Sequence, residues 1–256
     1  MNKDKKYYII GNWKMNPENK KDAKKIFGEI KKASQRRRSK IIICPPFVYL
    51  NAMYTGRLPK SLSIGAQNCF WKERGSFTGE ISPTQLVDMK VEYVILGHSE
   101  RRTLGEDDGL VSKKIKALLS NGLRPIVCVG ESERDGDGRY LNFLESQLDT
   151  VFSDVVSAEL DRVVIAYEPV WAIGKNEDDA ITGHSLYEIV ILIKRFLSRK
   201  YGKERGFSVP IIYGGSVSPS NAEGILGEGN ADGLLIGRES LDPKSFSKII
   251  ELADNL

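Results

Sequence analysis

The stretch Tyr93-Val94-Ile95-Leu96 is continuously apolar and is followed at once by Gly97-His98-Ser99-Glu100. Such a run is typical of a strand that is buried on both faces of a parallel sheet, because neither face contacts water. Seven further short apolar or β-branched runs are spread along the chain: Tyr7–Ile10, Lys40–Cys44, Leu62–Ala66, Pro125–Val129, Val163–Tyr167, Val209–Tyr213 and Gly233–Ile236. The sequence therefore predicts eight buried strands.

Helical signals lie between these runs. Pro17-Glu18 opens a segment rich in Lys and Glu, and Ser82-Pro83, Ser218-Pro219 and Asp242-Pro243 each place proline directly after an N-cap residue. Eight strands alternating with eight helical segments is the pattern of an α/β fold of the (β/α)₈ type, a parallel eight-stranded barrel ringed by helices.

A doubly wound open sheet is the competing architecture. Its dinucleotide-binding form carries GxGxxG after the first strand, and no such motif follows Tyr7–Ile10. The chain also contains no linker, no low-complexity tract and no shift in composition. We therefore expect residues 1–256 to form one barrel domain.

Composition narrows the class of protein. The 256 residues are 41% hydrophobic and 28% charged, which is ordinary for a globular fold. Lys and Arg number 38 against 34 Asp and Glu, a net charge of +4, and the acidic residues are spread through nearly every segment. A nucleic-acid-binding protein usually concentrates its positive charge on one face, so we expect no nucleic-acid partner.

The sequence also bears on compartment and on metals. No apolar run approaches the roughly 20 residues of a membrane-spanning helix, and the first apolar stretch is too short for a signal peptide. Three cysteines without a CxxC motif and two histidines give little basis for disulfides or a zinc site. We expect a cytoplasmic protein without membrane attachment, metal or cofactor.

Functional residues of a (β/α)₈ barrel are expected directly after the strands, where the βα loops gather at one end. Lys14 follows the first strand and could face an anionic ligand, although it could equally be a solvated surface lysine. His98 follows the fourth strand and is placed to open a short helix, whose dipole would favour a neutral imidazole. A core or capping histidine is the alternative.

Glu168 ends the sixth strand and is fixed by Pro169 beside an apolar segment. A carboxylate in apolar surroundings, covered by a loop that excludes water, suits a general base. An ion pair between strands is the alternative interpretation.

Glycine-rich turns follow the seventh and eighth strands, at Gly214-Gly215-Ser216 and Gly237-Arg238. Consecutive backbone N–H groups there can bind an anion, and these two loops are the usual phosphate site of such barrels. Plain turn glycines are the alternative. A cation, an imidazole, a carboxylate and a phosphate site together predict proton abstraction beside a carbonyl in a small phosphorylated substrate.

Several motifs resemble one family along essentially the whole chain. The matching blocks are GNWKMN (11–16), GAQN (65–68), GSFTGEISP (75–83), YVILGHSERR (93–102), PIVCVGE (125–131), AYEPVWAIG (166–174) and YGGSV (213–217). On these blocks the chain closely resembles the triosephosphate isomerases. The resemblance implies interconversion of dihydroxyacetone phosphate and glyceraldehyde 3-phosphate through an enediolate, in glycolysis and gluconeogenesis.

The resemblance also implies roles for individual residues. Glu168 would be the base, His98 the neutral electrophile, and Asn12 and Lys14 would contact substrate oxygens, with Glu100 near Lys14. Phosphate would be held by Asn12, Lys14 and the amides of Gly174, Ser216, Gly237 and Arg238. A lid would consist of Pro169, Val170, Trp171, Ala172, Ile173, Gly174 and Lys175.

Family members are typically homodimers, and the GSFTGE loop resembles the one that inserts into the partner subunit. Thr78 would then contact the other subunit's active-site region. Cys69 lies in that same loop, so its thiol could lie near the interface or could be an inert buried thiol, whereas Cys128 is expected only to fill the core.

This sequence departs from the family pattern at two places. The lid continues as Lys175-Asn176-Glu177-Asp178-Asp179 and is longer than usual by a residue or two. Loop eight has Gly237-Arg238 where many members have two glycines. A backbone amide remains at residue 238, so the phosphate site should survive this change.

Two other functions remain as alternatives. The first is another phosphosugar barrel enzyme, such as an aldolase or an epimerase. A Schiff-base aldolase needs a lysine in the barrel, and the only lysine in the predicted strands is Lys40, at one edge, so the sequence gives little support for an aldolase. The second is RNA binding by the basic helix end Gln35-Arg36-Arg37-Arg38-Ser39-Lys40, whose three adjacent arginines could neutralise phosphates. No aromatic residues are interleaved there, and a solvated helix end explains these cations more simply.

Overall fold

Eight parallel strands close into a barrel in sequence order, with β8 pairing β1. The computed structural model describes residues 5–54, 56–172 and 181–256. The strands are β1 (Tyr8–Asn12), β2 (Lys40–Cys44), β3 (Leu62–Ala66), β4 (Tyr93–Leu96), β5 (Arg124–Val129), β6 (Val164–Tyr167), β7 (Ile211–Tyr213) and β8 (Gly233–Ile236). The predicted (β/α)₈ barrel is confirmed. β7 begins two residues later than predicted, because Pro210 has no N–H to donate to a neighbouring strand.

The two faces of the strands are buried in two separate apolar clusters. One lies inside the barrel and includes Ile10, Ile42, Ile95, Ile126 and Ile212. The other lies between the barrel and its helices and takes the alternate strand positions, such as Ile9, Ile41, Val94 and Ile165. Successive side chains of a strand point to opposite faces, so burial of both faces explains the continuous apolar runs.

Helices surround this barrel. They are α1 (Lys20–Ala33), α2 (Phe47–Met53), α3 (Pro83–Asp88), α4 (Ser99–Thr103), α5 (Asp108–Ser120), α6 (Arg139–Val151), α7 (Gly183–Tyr201), α8 (Lys203–Ser208), α9 (Ala222–Gly227) and α10 (Pro243–Asn255). Short 3₁₀ helices cover Ser157–Arg162, Val170–Ala172 and Arg238–Leu241. Within the three described ranges, no helix combines the length and the apolar character needed to cross a membrane.

Two of the predicted helix starts are confirmed. The Ser82 hydroxyl accepts a hydrogen bond from the Gln85 amide, and the Gln85 side chain accepts one from the Ser82 amide. The Asp242 side chain caps α10 by a single hydrogen bond, which it accepts from the amide of Lys244, and proline follows each cap.

The other two predicted starts are wrong. α1 begins at Lys20, after Pro17-Glu18, because the Asn19 side chain provides the cap by accepting from the Asp22 amide. α9 begins at Ala222 rather than at Ser218-Pro219. The Ser218 amide donates to Asn221 Oδ1 at 2.9 Å, so residues 218–221 form a turn before that helix.

Candidate active site

A cavity of about 490 Å³ lies at the carboxyl-terminal end of the barrel. Its walls come from the segments that follow β1, β4, β7 and β8, which the sequence places far apart. Among the predicted site residues, those that line the cavity are Asn12, Lys14, His98, Ser216, Gly237 and Arg238. The structure therefore brings together the predicted cation, imidazole and phosphate-site turns.

Lys14 is held in a left-handed backbone conformation, with φ of 52°. That conformation costs about 1–2 kcal/mol for a residue with a Cβ, so surrounding contacts must stabilise it. Asn12 Oδ1 accepts from the Lys14 amide at 3.0 Å, and Gln67 Nε2 donates to the Lys14 carbonyl at 2.8 Å. The Lys14 ammonium donates to Glu100 Oε1 at 2.6 Å, so Asn12, Lys14 and Glu100 form one cluster.

Gln67 was not among the residues predicted from the sequence. Its side-chain amide also donates to the Cys44 carbonyl, at 2.9 Å, and thereby joins the loop after β1 to the end of β2. The signal that could have revealed it is its position directly after β3, within the block GAQN. Gln67 therefore helps to fix the backbone from which Lys14 projects.

His98 is the N-cap of α4, as predicted, and is buried. Its Nδ1 accepts a hydrogen bond from the Glu100 amide at 3.2 Å. A nitrogen that accepts an N–H carries no proton, so the proton of a neutral imidazole lies on Nε2. His98 therefore presents an N–H donor on its other edge.

Glu168 is only 2% exposed and does not line the cavity. Its Oε2 accepts from the Ser99 amide at 3.0 Å, and its Oε1 lies 3.3 Å from His98 Nε2. A Cβ at Gly214 would lie 2.8 Å from Glu168 Cγ, so this glycine leaves space for the carboxylate side chain. Glu168 is thus beside the imidazole but is directed toward the first turn of α4.

Cys128 lies inside the barrel, as expected of a core residue, yet it also lies against Glu168. Burial raises the pKa of the Cys128 thiol, and the adjacent Glu168 carboxylate raises it further. The thiol therefore stays protonated and can donate to the carboxylate. Sequence patterns could not reveal this contact, because it joins a residue within β5 to the residue that follows β6.

The first part of the predicted lid, Pro169–Ala172, is anchored by Glu131. The Glu131 carboxylate accepts from Tyr167 Oη at 2.7 Å and from Trp171 Nε1 at 2.9 Å. Burial and this carboxylate raise the pKa of the Tyr167 hydroxyl, which keeps it a donor. Glu131 was not predicted as a site residue. The lid residues Ile173, Gly174 and Lys175, and the longer segment through Asp179, lie outside the described residues.

The turn after β7 contacts the start of the lid, and the turn after β8 contacts Lys14. Ser216 Oγ donates to the Ala172 carbonyl at 3.2 Å. A Cβ at Gly237 would lie 3.4 Å from Lys14 Cε, so the lysine side chain passes directly over this turn. Arg238 begins the 3₁₀ helix Arg238–Leu241, and its side chain is exposed at the cavity.

Residues outside the cavity also bear on the sequence predictions. Cys69 is buried, and burial raises the pKa of its thiol to about 12, which favours the inert alternative. The Arg37 guanidinium donates to the Glu251 carboxylate, and the Arg38 amide donates to the Asp254 carboxylate. Acidic residues of α10 therefore bind these two residues of the arginine cluster that was considered for RNA binding. In the part of the chain that the structure describes, no group of three or more His, Cys, Asp or Glu could hold a metal.

Comparison with known proteins agrees with this geometry. A family model described as triosephosphate isomerase matches residues 7–253. A triosephosphate isomerase of Natranaerobius thermophilus is 39% identical over 96% of this chain and 95% of its own length. Triosephosphate isomerases of Alkaliphilus oremlandii and Aquifex aeolicus are 40% and 41% identical, over 96% and 94% of this chain and 99% and 97% of their own. The chain belongs to the triosephosphate isomerase family.

Proposed function

We propose that this protein interconverts dihydroxyacetone phosphate and D-glyceraldehyde 3-phosphate, a step of glycolysis and gluconeogenesis, at the carboxyl-terminal cavity. The observation that carries the proposal is the arrangement of Lys14 and His98 on the cavity wall with the Glu168 carboxylate 3.3 Å from His98. Family membership supports the same reaction. For an aldolase the sequence offered Lys40, but this residue begins β2 at the opposite end of the barrel and pairs with Glu92.

The phosphate group of the substrate is assigned to the turns after β7 and β8. Backbone N–H groups of Ser216, Gly237 and Arg238, with that of Gly174 from the lid, would donate to its oxygens. Lys14 passes over Gly237, and a Cβ at that glycine would lie 3.9 Å from the lysine Nζ, so the ammonium is close to this turn. One cation can thereby offset the charge of the phosphate and approach the reacting carbonyl.

The carbonyl end is assigned to His98 and Lys14, with Asn12 supporting the loop that carries the lysine. The Nε2–H of His98 would donate to the substrate oxygen on which negative charge develops in the enediolate. A neutral imidazole can both donate this proton and recover it within one turnover. One well-aimed donor to such an oxygen contributes about 2.7–4 kcal/mol to transition-state stabilisation.

Glu168 is assigned as the base that moves a proton between the two substrate carbons. In the present arrangement its Oε2 is occupied by the Ser99 amide, so it must rotate to reach the cavity. Pro169 follows it directly, and we propose that closure of the lid Pro169–Lys175 drives this rotation while excluding water. The Glu131 contacts to Tyr167 and Trp171 would hold the start of the lid in place before this movement.

We also propose that the protein acts as a cytoplasmic homodimer, with residues 1–256 as one domain. Thr78 lies in an exposed loop, and Met15, adjacent to the catalytic lysine, is 93% exposed. An apolar groove of about 510 Å³ between α2 and α3 is lined by Phe47, Leu50, Ile81 and Met89, among others. A second copy that inserted its residue 75–80 loop beside Lys14 would cover Met15, and the apolar groove offers a further surface for the same contact.

A coupled assay tests the reaction directly. Glyceraldehyde 3-phosphate is supplied as substrate, and the dihydroxyacetone phosphate formed is consumed by a coupling dehydrogenase, with no metal or nucleotide needed for the isomerisation itself. The reverse direction serves as a control on the coupling enzyme. Turnover in both directions supports the proposal, whereas the appearance of a condensation product of the two triose phosphates, or of an imine trapped by borohydride, would support the aldolase.

A further inference from the structure

Arg238 lies at the phosphate end of the cavity but has no role assigned to its side chain. It is the second residue after β8, and its side chain is exposed. Among the described residues that line the cavity, the side chains that are cationic at neutral pH are Lys14 and Arg238, and the neighbouring turn residue Gly237 lies under the lysine side chain. The two cations therefore flank the same backbone turn.

Lys14 and Arg238 differ in whether an acidic side chain is paired with the positive charge. The Lys14 ammonium is paired with Glu100 at 2.6 Å. Glu239 is the acidic residue among the described cavity-lining residues, and its carboxylate accepts from the Ser245 hydroxyl. Arg238 forms no ion pair or hydrogen bond through its guanidinium within residues 5–54, 56–172 and 181–256. It is thus a cation at the site whose charge is available to a ligand.

We propose that the Arg238 guanidinium binds the phosphate of the incoming substrate and thereby sets the affinity of this enzyme for the dianion. This inference rests on the assignment of the cavity as the substrate site. A guanidinium suits the task because its planar set of N–H donors can contact two phosphate oxygens at once. An uncompensated cation at the cavity also attracts anions from solution, an effect that salt weakens.

The position of the proposed contact between Arg238 and the phosphate determines how its loss should affect KM and kcat. The phosphate is remote from the carbons that exchange the proton, so the contact is equally strong in the bound substrate and in the transition state. Loss of such a contact raises KM more than it lowers kcat. For one solvent-accessible charge-assisted contact, we expect a change of about threefold to tenfold.

The test compares Arg238→Gln with Arg238→Lys and with the control Arg195→Gln. Arg195 is exposed on α7 and does not line the cavity, so this control removes the same net charge elsewhere. Two quantities are measured for each variant: the inhibition constant of inorganic phosphate, and kcat/KM for glyceraldehyde 3-phosphate between low and physiological ionic strength. Competitive inhibition of the wild type by phosphate checks the proposed site independently of Arg238.

For Arg238→Gln we expect the KM and the phosphate inhibition constant to rise together by about threefold to tenfold, with a flatter dependence of kcat/KM on salt. Arg238→Lys should recover most of the salt dependence, since the charge remains. The proposal is overturned if Arg238→Gln behaves like Arg195→Gln, or if the loss is confined to kcat. A lysine variant as impaired as the glutamine variant would also contradict it, by indicating a structural role for the arginine.

Discussion

His98 Nε2 lies 3.3 Å from Glu168 Oε1, while His98 Nδ1 accepts the Glu100 amide on the other side of the ring. The two contacts fix both the orientation and the tautomer of the imidazole. The electrophile and the base of the proposed reaction are therefore neighbours before substrate binds. Rotation of Glu168 away from the Ser99 amide would free the Nε2–H to face the substrate.

Replacement of His98 by Asn should act mainly on kcat. Asparagine is a good N-cap residue, so α4 keeps a side-chain acceptor and the fold should tolerate the change. What is lost is the Nε2–H donor, whose contact matters most as negative charge develops. Steady-state kinetics in both directions, with a melting curve as the stability control, would check this. A change in KM alone would contradict this prediction and would indicate that His98 only positions the substrate.

Replacement of Lys14 by Ala should lower kcat and raise KM together, because the ammonium serves both the phosphate and the developing oxyanion. The loss of kcat/KM should exceed tenfold, since a charge-assisted hydrogen bond is worth about 1.5–3 kcal/mol. Glu100→Gln is a matched comparison that removes the partner of Lys14 but keeps the cation. A Lys14→Ala variant that binds inorganic phosphate as tightly as the wild type would contradict the double role.

Replacement of Thr78 by Arg should dissociate the proposed dimer. A bulky charge buried without a partner at an interface is strongly unfavourable, whereas the same change on a free surface is nearly neutral. Sedimentation velocity of wild type and variant, with activity measured at the same concentrations, distinguishes the two cases. An unchanged dimer, or an active monomer, would show that this loop does not complete the neighbouring site.

The three cysteines should be unreactive toward a thiol reagent in the native protein. All three are buried, and burial raises the pKa of each thiol, in Cys69 to about 12. The reactive thiolate should therefore be scarce from neutral pH to about pH 9, and should increase as the pH rises toward the raised pKa. Titration with a chromogenic disulfide at pH 8 should count no fast thiols in the native state and three after unfolding.

The sequence was sufficient for the barrel because each strand carries its own signal. Tyr93–Leu96, for example, is apolar at every position, and the structure buries both of its faces. It was sufficient to place Lys14, His98 and Ser216 around the cavity, because each of them follows a strand. It was insufficient for Gln67, Glu131 and Cys128, whose importance lies in contacts between distant segments. The helix start predicted at Pro17 is wrong because Asn19 provides the cap of α1. The start predicted at Ser218 is wrong because the Asn221 side chain accepts from the Ser218 amide and closes a turn before α9.

The central claim is that Glu168 is the base of an isomerisation at this cavity, and Glu168→Gln tests it most directly. The amide keeps the size of the side chain and the oxygen that accepts the Ser99 amide, but it cannot take a proton from carbon. Because general base catalysis contributes typically 10²–10⁴-fold, kcat should fall by at least about a hundredfold while inorganic phosphate still binds. A variant that retains more than about a tenth of the wild-type kcat would contradict the account.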